Sequence, residues 1–198
     1  MNELTWVAVA LTPDLPAGTA IPARIGPEDL ALWRSATGVV RIWGDRCPHR
    51  GMRLSHGFVR GETLACIYHG WRYGLDGGCA HIPAHPALEP PKTITARVFG
   101  CHEEGGVIFG TLAPDTPPPR APEGLVPLRS VEVAAPAGAL EAQLLPGEQG
   151  LMWAGDLAVL VQPLDATTCR AHALIRPGTD AKAASRALEA LRRACEEE

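Results

Sequence analysis

Two similar stretches decide the fold of this chain: "RCPHRGMRLSHG" at residues 46–57 and "ACIYHGWRYGLDGGCAHIP" at residues 65–83. Each contains a cysteine and a histidine close together, and a glycine follows soon after. Glycine lets the backbone pass close to a bulky group. Thiol and imidazole groups paired in this way are typical metal ligands, so we expect both stretches to be loops around one metal centre.

The spacing within the two pairs gives four candidate metal ligands. Cys47 lies two residues before His49, Cys66 lies three residues before His69, and sixteen residues separate the pairs. Two thiolates and two imidazoles suit one tetrahedral zinc ion, and they also suit a two-iron cluster with unequal ligands. In the second case each loop would offer its cysteine to one iron and its histidine to the other.

The segments around these loops predict antiparallel β-strands. Short apolar runs separated by Gly and Pro predict strands in "TWVAVALT", "TAIPARI", "DLALWRS" and "VVRIWG". The segment "TITARVFGCHEEGGVIFGTL" predicts two more, joined by a turn at Glu103–Gly106. We therefore assign residues 1–113 to one antiparallel β-domain into which the two Cys/His loops are inserted.

The rest of the chain predicts a smaller unit. Residues 114–127 are too rich in proline for a helix or a central strand and are predicted to be a linker. Residues 128–198 predict a small α+β segment, with strands in "RSVEVAA", "ALEAQLL", "EQGLMWA", "LAVLVQPL" and "TCRAHALIR". The last segment, "DAKAASRALEALRRACEEE", predicts a helix that Asp180 caps. The fold class is therefore mainly β, with a terminal helix.

Composition limits the classes of function. The chain has 198 residues and a net charge of −4, which argues against a nucleic-acid-binding protein. It has no apolar run of membrane-spanning length and no basic, apolar start, so we expect a soluble, cytoplasmic protein. Six cysteines then suggest metal ligands and buried thiols rather than disulfides. We expect structural thiols at Cys79, Cys101, Cys169 and Cys195.

The combined motif "CPHRG…LSHG…CIYHGWRYGLDGGCAHIPA" resembles the cluster-binding segment of Rieske [2Fe–2S] proteins. It is most similar to the N-terminal Rieske domain of ring-hydroxylating, non-haem iron oxygenases. The preceding segments "WVAVALTPDLPAG" and "LWRSATGVVRIWGDRCPH" extend the likeness to about the first 110 residues. The resemblance implies a Rieske β-sandwich with one [2Fe–2S] cluster, Cys47 and Cys66 on the buried iron, and His49 and His69 on the outer iron.

Three positions distinguish this motif from that of respiratory Rieske proteins. Those proteins carry an extra cysteine in each loop, joined as a disulfide, and a serine hydroxyl beside a bridging sulfide. The corresponding residues here are Met52, Tyr68 and Trp71. The resemblance therefore implies an oxygenase-type cluster of low potential, because fewer donors stabilise the added electron.

In the resembling oxygenases, the Rieske centre supplies electrons to a mononuclear iron held by two histidines and a carboxylate. After the two loops this chain has only His81, His85, His102 and His172. Pro83 separates the first two of these and argues against a helix, so we expect them in a loop beside the cluster. We expect His172 to be a surface histidine or a hydrogen-bonded one. The sequence thus predicts no catalytic residue and a truncated or unrelated C-terminal region.

The function implied is one-electron transfer from a reductase or ferredoxin to an oxygenase or another acceptor. One alternative is a subunit of a Rieske oxygenase, in an oligomer where another chain supplies the mononuclear iron. Another alternative is a redox or iron–sulfur sensor that binds a partner.

Arginines are frequent around the two loops, and two interpretations stay open. They could form salt bridges with Asp45, Glu62 and Asp76. They could instead form a basic rim that receives an acidic electron donor. The residues concerned are Arg46, Arg50, Arg53, Arg60 and Arg72.

Overall fold

The computed structural model describes residues 6–113 and 116–197, so residues 114–115 of the predicted linker lie outside the described part. The described part is mainly antiparallel β-structure, as predicted. In chain order the elements are β1 (Val7–Leu11), β2 (Ala20–Ile25), β3 (Glu28–Arg34), β4 (Val40–Gly44), β5 (Phe58–Arg60), β6 (Thr63–Ala65), β7 (Arg72–Tyr73), β8 (Cys79–His81), β9 (Val98–Glu104), β10 (Val107–Thr111), β11 (Val126–Val133), α1 (Ala137–Ala142), β12 (Leu145–Pro146), β13 (Leu151–Ala154), β14 (Leu157–Pro163), β15 (Cys169–Ile175) and α2 (Ala181–Glu196).

The first sheet has six strands in the order β1-β10-β9-β4-β3-β2. Alternate residues of its strands point to one core, where Leu30, Leu32, Ile42 and Ile108 are fully buried. The turns fall where the sequence predicts them: Gly38 lies between β3 and β4, and Glu103–Gly106 lies at the turn between β9 and β10.

A second, four-stranded sheet in the order β5-β6-β7-β8 carries the metal-ligand motifs. The first loop connects β4 to β5, and the second connects β6 to β7. Both lie over a core in which Trp33 and Trp43 meet edge to face, with ring centroids 4.8 Å apart. Leu54, Leu64 and Tyr73 complete this core and are fully buried. The structure therefore confirms that both loops are inserted into the β-domain.

The third sheet has the order β11-β15-β14-β13-β12, and α2 packs on one of its faces. Asp180 caps α2 as predicted, because its carboxylate accepts hydrogen bonds from the backbone N–H of Lys182 at 2.9 Å and of Ala183 at 3.2 Å. Ala184, Leu188 and Cys195 form the buried stripe of this helix. No helix among the described residues is both long and apolar enough to cross a membrane.

Two details of this region differ from the sequence-based prediction. The segment "ALEAQLL" is not a strand: α1 covers most of it, and Leu140 is its buried residue. Pro136 precedes the helix in an extended conformation, and Ala, Leu and Glu are good helix formers. The second difference is that β11 begins at Val126, inside the predicted linker. It tolerates Pro127 because it is an edge strand whose register shifts just after that residue.

The other face of the third sheet packs against the first sheet. Ala8, Leu11 and Phe109 share a core with side chains of the third sheet. The domain limits at residues 113 and 128 stay a prediction. Residues from before and after these limits pack together in this core. Its members from the third sheet are Leu151, Ala158, Leu160 and Leu174.

A buried polar network accompanies this contact and accounts for His172. The ring is fully buried, with Nδ1 2.8 Å from Ser130 Oγ and Nε2 3.1 Å from Gln162 Oε1. Ser130 Oγ donates to Asp14 at 2.5 Å, and the Gln162 amide donates to the carbonyl of Arg24 at 2.7 Å. Burial lowers the pKa of His172 to about 3, so the ring is neutral at ordinary pH. His172 is therefore a hydrogen-bonded histidine that joins the two sheets.

Candidate metal centre

The two loops have the same backbone turn. In each, the cysteine N–H donates to the carbonyl five residues later, and the glycine four residues after the cysteine donates back to the cysteine carbonyl. These bonds are Cys47 N to Met52 O (2.8 Å), Gly51 N to Cys47 O (2.8 Å), Cys66 N to Trp71 O (2.9 Å) and Gly70 N to Cys66 O (2.9 Å). Both glycines have a left-handed backbone, with φ of 71° at Gly51 and 69° at Gly70. The glycines are therefore required by the turn itself.

The loops bring the predicted histidines together although their positions in the turn differ. His49 is the second residue after its cysteine and His69 is the third. Their ring centroids nevertheless lie 4.8 Å apart. His69 is exposed, and its ring also contacts that of Tyr68 at 3.9 Å.

The two predicted cysteines lie in the protein interior. Cys47 and Cys66 are both buried, and each belongs to the core formed with Trp33 and Trp43. Burial raises the pKa of the Cys66 thiol and the neighbouring Cys47 adds to this, whereas hydrogen bonds from the N–H groups of Tyr68 and His69 lower it. Backbone N–H groups directed at a buried sulfur suit a metal-bound thiolate.

His49 is held by an aromatic residue from the second loop. Its ring stacks on Trp71, with centroids 4.1 Å apart and planes 5° from parallel. Partial burial lowers the pKa of His49, and the charges of His69 and Arg50 lower it further. His49 is half-buried, whereas His69 is exposed. The two imidazoles therefore differ in their access to solvent.

Tyr73 is a residue of the candidate site that the sequence-based prediction missed. Its hydroxyl lies 3.1 Å from Cys47 Sγ, and its side chain is fully buried. Burial raises the pKa of Tyr73, and Cys47 raises it further, so the phenol stays protonated and can donate to a thiolate. The signal in the sequence is its place two residues after Trp71, because alternate residues of an extended segment face the same side. Both side chains pack in the core that contains Cys47.

Asp45 is a second residue whose role the sequence does not reveal. Its carboxylate is fully buried just before Cys47. It accepts hydrogen bonds from the backbone N–H of Ser55 at 2.7 Å, from the Ser55 hydroxyl at 2.8 Å and from Arg53 at 3.2 Å. One carboxylate thus ties the beginning of the first loop to its end.

The other histidines that the sequence analysis singled out lie outside the two loops. His81 is in β8, opposite Arg72, and His85 is exposed in the loop that follows. His102 lies in β9, with Nε2 3.4 Å from a carboxylate oxygen of Glu104. Within residues 6–113 and 116–197, no three His, Cys, Asp or Glu side chains are arranged as ligands of a single metal ion. The two loops bring the rings of His49 and His69 together and bury Cys47 next to Cys66.

This donor set fits the chemistry of a two-iron cluster. Buried thiols suit an iron on the protein side, and the imidazoles suit an iron nearer solvent. Tyr73 and the N–H groups of the second loop are directed at the thiol sulfurs, where they would stabilise negative charge.

Comparisons with known proteins agree with this fit. A family described as the Rieske [2Fe-2S] domain matches residues 5–94. Oxidoreductase NdmD of Pseudomonas putida is 40% identical over 116 residues, which are 57% of this chain and 20% of that protein. The phthalate 4,5-dioxygenase oxygenase subunit of Pseudomonas putida is 30% identical over 154 residues, which are 74% of this chain and 35% of that protein. The chain thus spans about a third or less of the length of these relatives.

Solved structures extend the likeness of fold beyond the matched residues. The crystal structure of apo dicamba monooxygenase aligns with a TM-score of 0.76 over 98% of this chain and 86% of that one, at 18% identity. At this identity the likeness concerns the fold alone. It includes the third sheet and α2, so the C-terminal region has the fold of a part of that enzyme.

Proposed function

We propose that this chain, which carries a Rieske [2Fe–2S] domain and therefore a Rieske cluster, is a one-electron carrier of the oxygenase type. The observation that carries the proposal is the layered arrangement of the two loops. The two thiols are buried, the His49 ring is half-buried, and the His69 ring is exposed. Such a centre is insulated on one side and open on the other.

We assign the cluster ligands to four residues. Cys47 and Cys66 would hold the inner iron, and His49 and His69 would hold the outer one. When bound, a Rieske cluster takes up and releases one electron at a potential that its protein ligands and their hydrogen bonds set. We assign no catalytic residue in this chain.

The surrounding residues affect the potential of the cluster and the route by which the electron enters and leaves. Tyr73 directs its O–H at Cys47 and favours the more negative, reduced state. Trp71 covers one face of His49, and the exposed ring of His69 is the group nearest to an approaching partner. Electron exchange would therefore take place through the His69 edge.

The partners we propose are a reductase or ferredoxin as donor and an oxygenase or another acceptor. Support comes from the sequence relatives, since the names of several identify them as oxygenase subunits or monooxygenases. The fold likeness over 98% of the chain favours a second candidate function, a subunit of an oxygenase oligomer whose mononuclear iron another chain supplies.

Chemical analysis and spectroscopy of purified holoprotein test the first proposal. We expect two irons and two acid-labile sulfides per chain, and an electron paramagnetic resonance signal that dithionite generates and air removes. Stoichiometric zinc in protein produced with ample iron would contradict it. Purification of the untagged protein from its native host separates the two functions, because a subunit should elute with a second chain in constant proportion and a carrier should not.

A further inference from the structure

The charge around the two loops is opposite in sign to that of the whole chain. Residues 46–75 contain five arginines and one acidic residue, Glu62, whereas the chain as a whole has a net charge of −4. A local patch of one sign can guide a charged partner even when the total charge has the other sign. The pairing of these arginines decides whether such a patch exists.

Of these five arginines, Arg53 alone has a carboxylate partner among the described residues. It lies 2.9 Å from Asp29 and 3.2 Å from Asp45. The Glu62 carboxylate accepts hydrogen bonds from the backbone N–H and the hydroxyl of Thr37. The Asp76 carboxylate accepts a hydrogen bond from the N–H of Gly78. The interpretation in which the arginines form salt bridges with Asp45, Glu62 and Asp76 therefore holds for Arg53 alone.

Three of the remaining arginines lie next to the candidate ligands in the sequence, and the charge of Arg50 acts on His49. Arg46 and Arg50 flank Cys47 and His49 in the first loop, and Arg72 follows the second loop. All three are exposed, and none makes an ion pair with a described residue. We call Arg46, Arg50 and Arg72 the basic rim.

Apolar side chains lie beside the exposed histidine in the same surface region. Ile67 is 49% exposed and Tyr68 is 55% exposed, and they directly precede His69. Large side chains left half in solvent are typical of interaction sites. An aromatic centre with arginines around it also has the composition of a protein interface.

We propose that the basic rim, together with Ile67, Tyr68 and His69, is the docking surface for an electron-transfer protein with an acidic face. The occupant is acidic because three guanidinium groups without a carboxylate partner among the described residues are exposed here and would repel a basic partner. The proposal rests on the proposed function, since it gives the electron a surface through which to pass. The exposed edge of His69 would lie at the centre of the contact.

Reaction with small ions of opposite charge tests this surface. The dithionite-reduced holoprotein is mixed in a stopped-flow instrument with hexacyanoferrate(III), a trianion, or with hexaammineruthenium(III), a trication. Salt is varied from about 0.01 M to about 1 M, which shortens the screening length from about 30 Å to about 3 Å. A chain with net negative charge and no local patch should react faster with the anion as salt is added. The basic rim predicts the opposite sign, a rate with the anion that falls as salt is added.

Charge-matched variants locate the effect. Arg46→Gln with Arg50→Gln should lower the low-salt rate with the anion on the order of tenfold and raise that with the cation. Adding Arg72→Gln should lower the rate with the anion further, and all rates should converge in high salt. The control, Lys182→Gln with Arg186→Gln, removes two exposed charges from α2 and should leave both rates nearly unchanged. Each variant must keep the iron and sulfide content of the parent protein.

Polyglutamate then represents the acidic partner. It should slow oxidation by the anion in the parent protein and have no effect on the triple variant. Three outcomes would overturn the proposed docking surface and leave the proposed electron carrier intact. They are a rate with the anion that rises with salt, an equal effect of the control variant, and no competition by polyglutamate. A reduced protein that exchanges electrons with neither ion at any salt would overturn the proposed function and the docking surface with it.

Discussion

The two ligand loops have one backbone turn and two different sets of side chains. Counted from its cysteine, each loop has glycine at the fourth following position and the same pair of backbone hydrogen bonds. The histidine, however, occupies the second position in the first loop and the third in the second. A repeated backbone thus fixes where the loops meet, and a shift of one residue makes His69 more exposed than His49.

The loops also differ in what supports them. The first loop is closed by the buried carboxylate of Asp45, and residues of the second loop region contact both of its candidate ligands. Trp71 covers His49, and Tyr73 reaches Cys47. His69 has Tyr68 of its own loop and His49 as ring neighbours. The first loop is therefore the braced side of the centre and the second is the open side.

The largest effect should come from removing either thiol. We expect Cys47→Ser and Cys66→Ser to lose the cluster entirely and to lower the free energy of unfolding by several kcal/mol, because a bound cluster would cross-link the two loops. Iron analysis, visible absorption and chemical denaturation measure this. Cys101→Ser, half-buried in β9, is the matched control and should keep the colour. A coloured variant from either loop would show that the two loops do not contribute equally.

The difference in support predicts the next effect. Asp45→Ala would leave the buried Ser55 N–H and hydroxyl without their acceptor. It would also remove one of the two carboxylate partners of Arg53, which keeps Asp29. Leaving a buried donor without its acceptor costs about 1–3 kcal/mol, so the two Ser55 donors together should cost about 2–6 kcal/mol. The control is Asp76→Ala, beyond the second loop, where an exposed carboxylate accepts from Gly78 and about 1 kcal/mol or less is expected. Equal losses in denaturation would remove the distinction between a braced and an open loop.

The glycines test whether the backbone turns are equivalent. Both have positive φ, so alanine should cost about 1–2 kcal/mol at either position. A methyl group at Gly51 would meet open space, whereas at Gly70 it would lie 3.1 Å from the ring of Pro83. Gly70→Ala should therefore be the more damaging of the two by thermal unfolding of the holoprotein. The reverse order would mean that the second loop has room that the first lacks.

Much of this architecture could be predicted because its causes are local in the sequence. The Cys/His motifs indicated two loops inserted between strands, and the turn at Glu103–Gly106 is visible as a glycine pair. "ALEAQLL" was misread because apolar residues alone suit a strand as well as a helix. The good helix formers Ala, Leu and Glu that follow Pro136 were the available signal for α1.

Contacts between distant residues could not be predicted in the same way. Tyr73 and Cys47 are 26 residues apart, and their contact depends on how β7 lies beneath the first loop. The choice of Arg53, rather than its neighbours, as the partner of Asp45 depends on the three-dimensional course of the loop. Such pairings require the fold before they can be seen.

The smallest predicted effect concerns the potential, and Tyr73 changes what the sequence implies about it. Met52, Tyr68 and Trp71 predict a cluster in the lower part of the Rieske range of about −150 to +300 mV, since the donors of respiratory proteins are absent. The Tyr73 hydroxyl, 3.1 Å from Cys47 Sγ, is a donor that this argument omits. It stabilises the reduced state more than the oxidised one, because the added electron increases the negative charge on sulfur.

Tyr73→Phe should therefore lower the potential. A hydrogen bond to a charged acceptor contributes about 1.5–3 kcal/mol, and part of this differs between the two redox states. A difference of about 1–2 kcal/mol corresponds to roughly 40–90 mV for one electron. Protein-film voltammetry measures the shift, and Tyr68→Phe, whose side chain is 55% exposed in the second loop, is the control that should change the potential little. If both variants change the potential equally, or if Tyr73→Phe raises it, the hydrogen bond between Tyr73 and Cys47 does not set the potential. The contacts that support the first loop would then have a structural role alone.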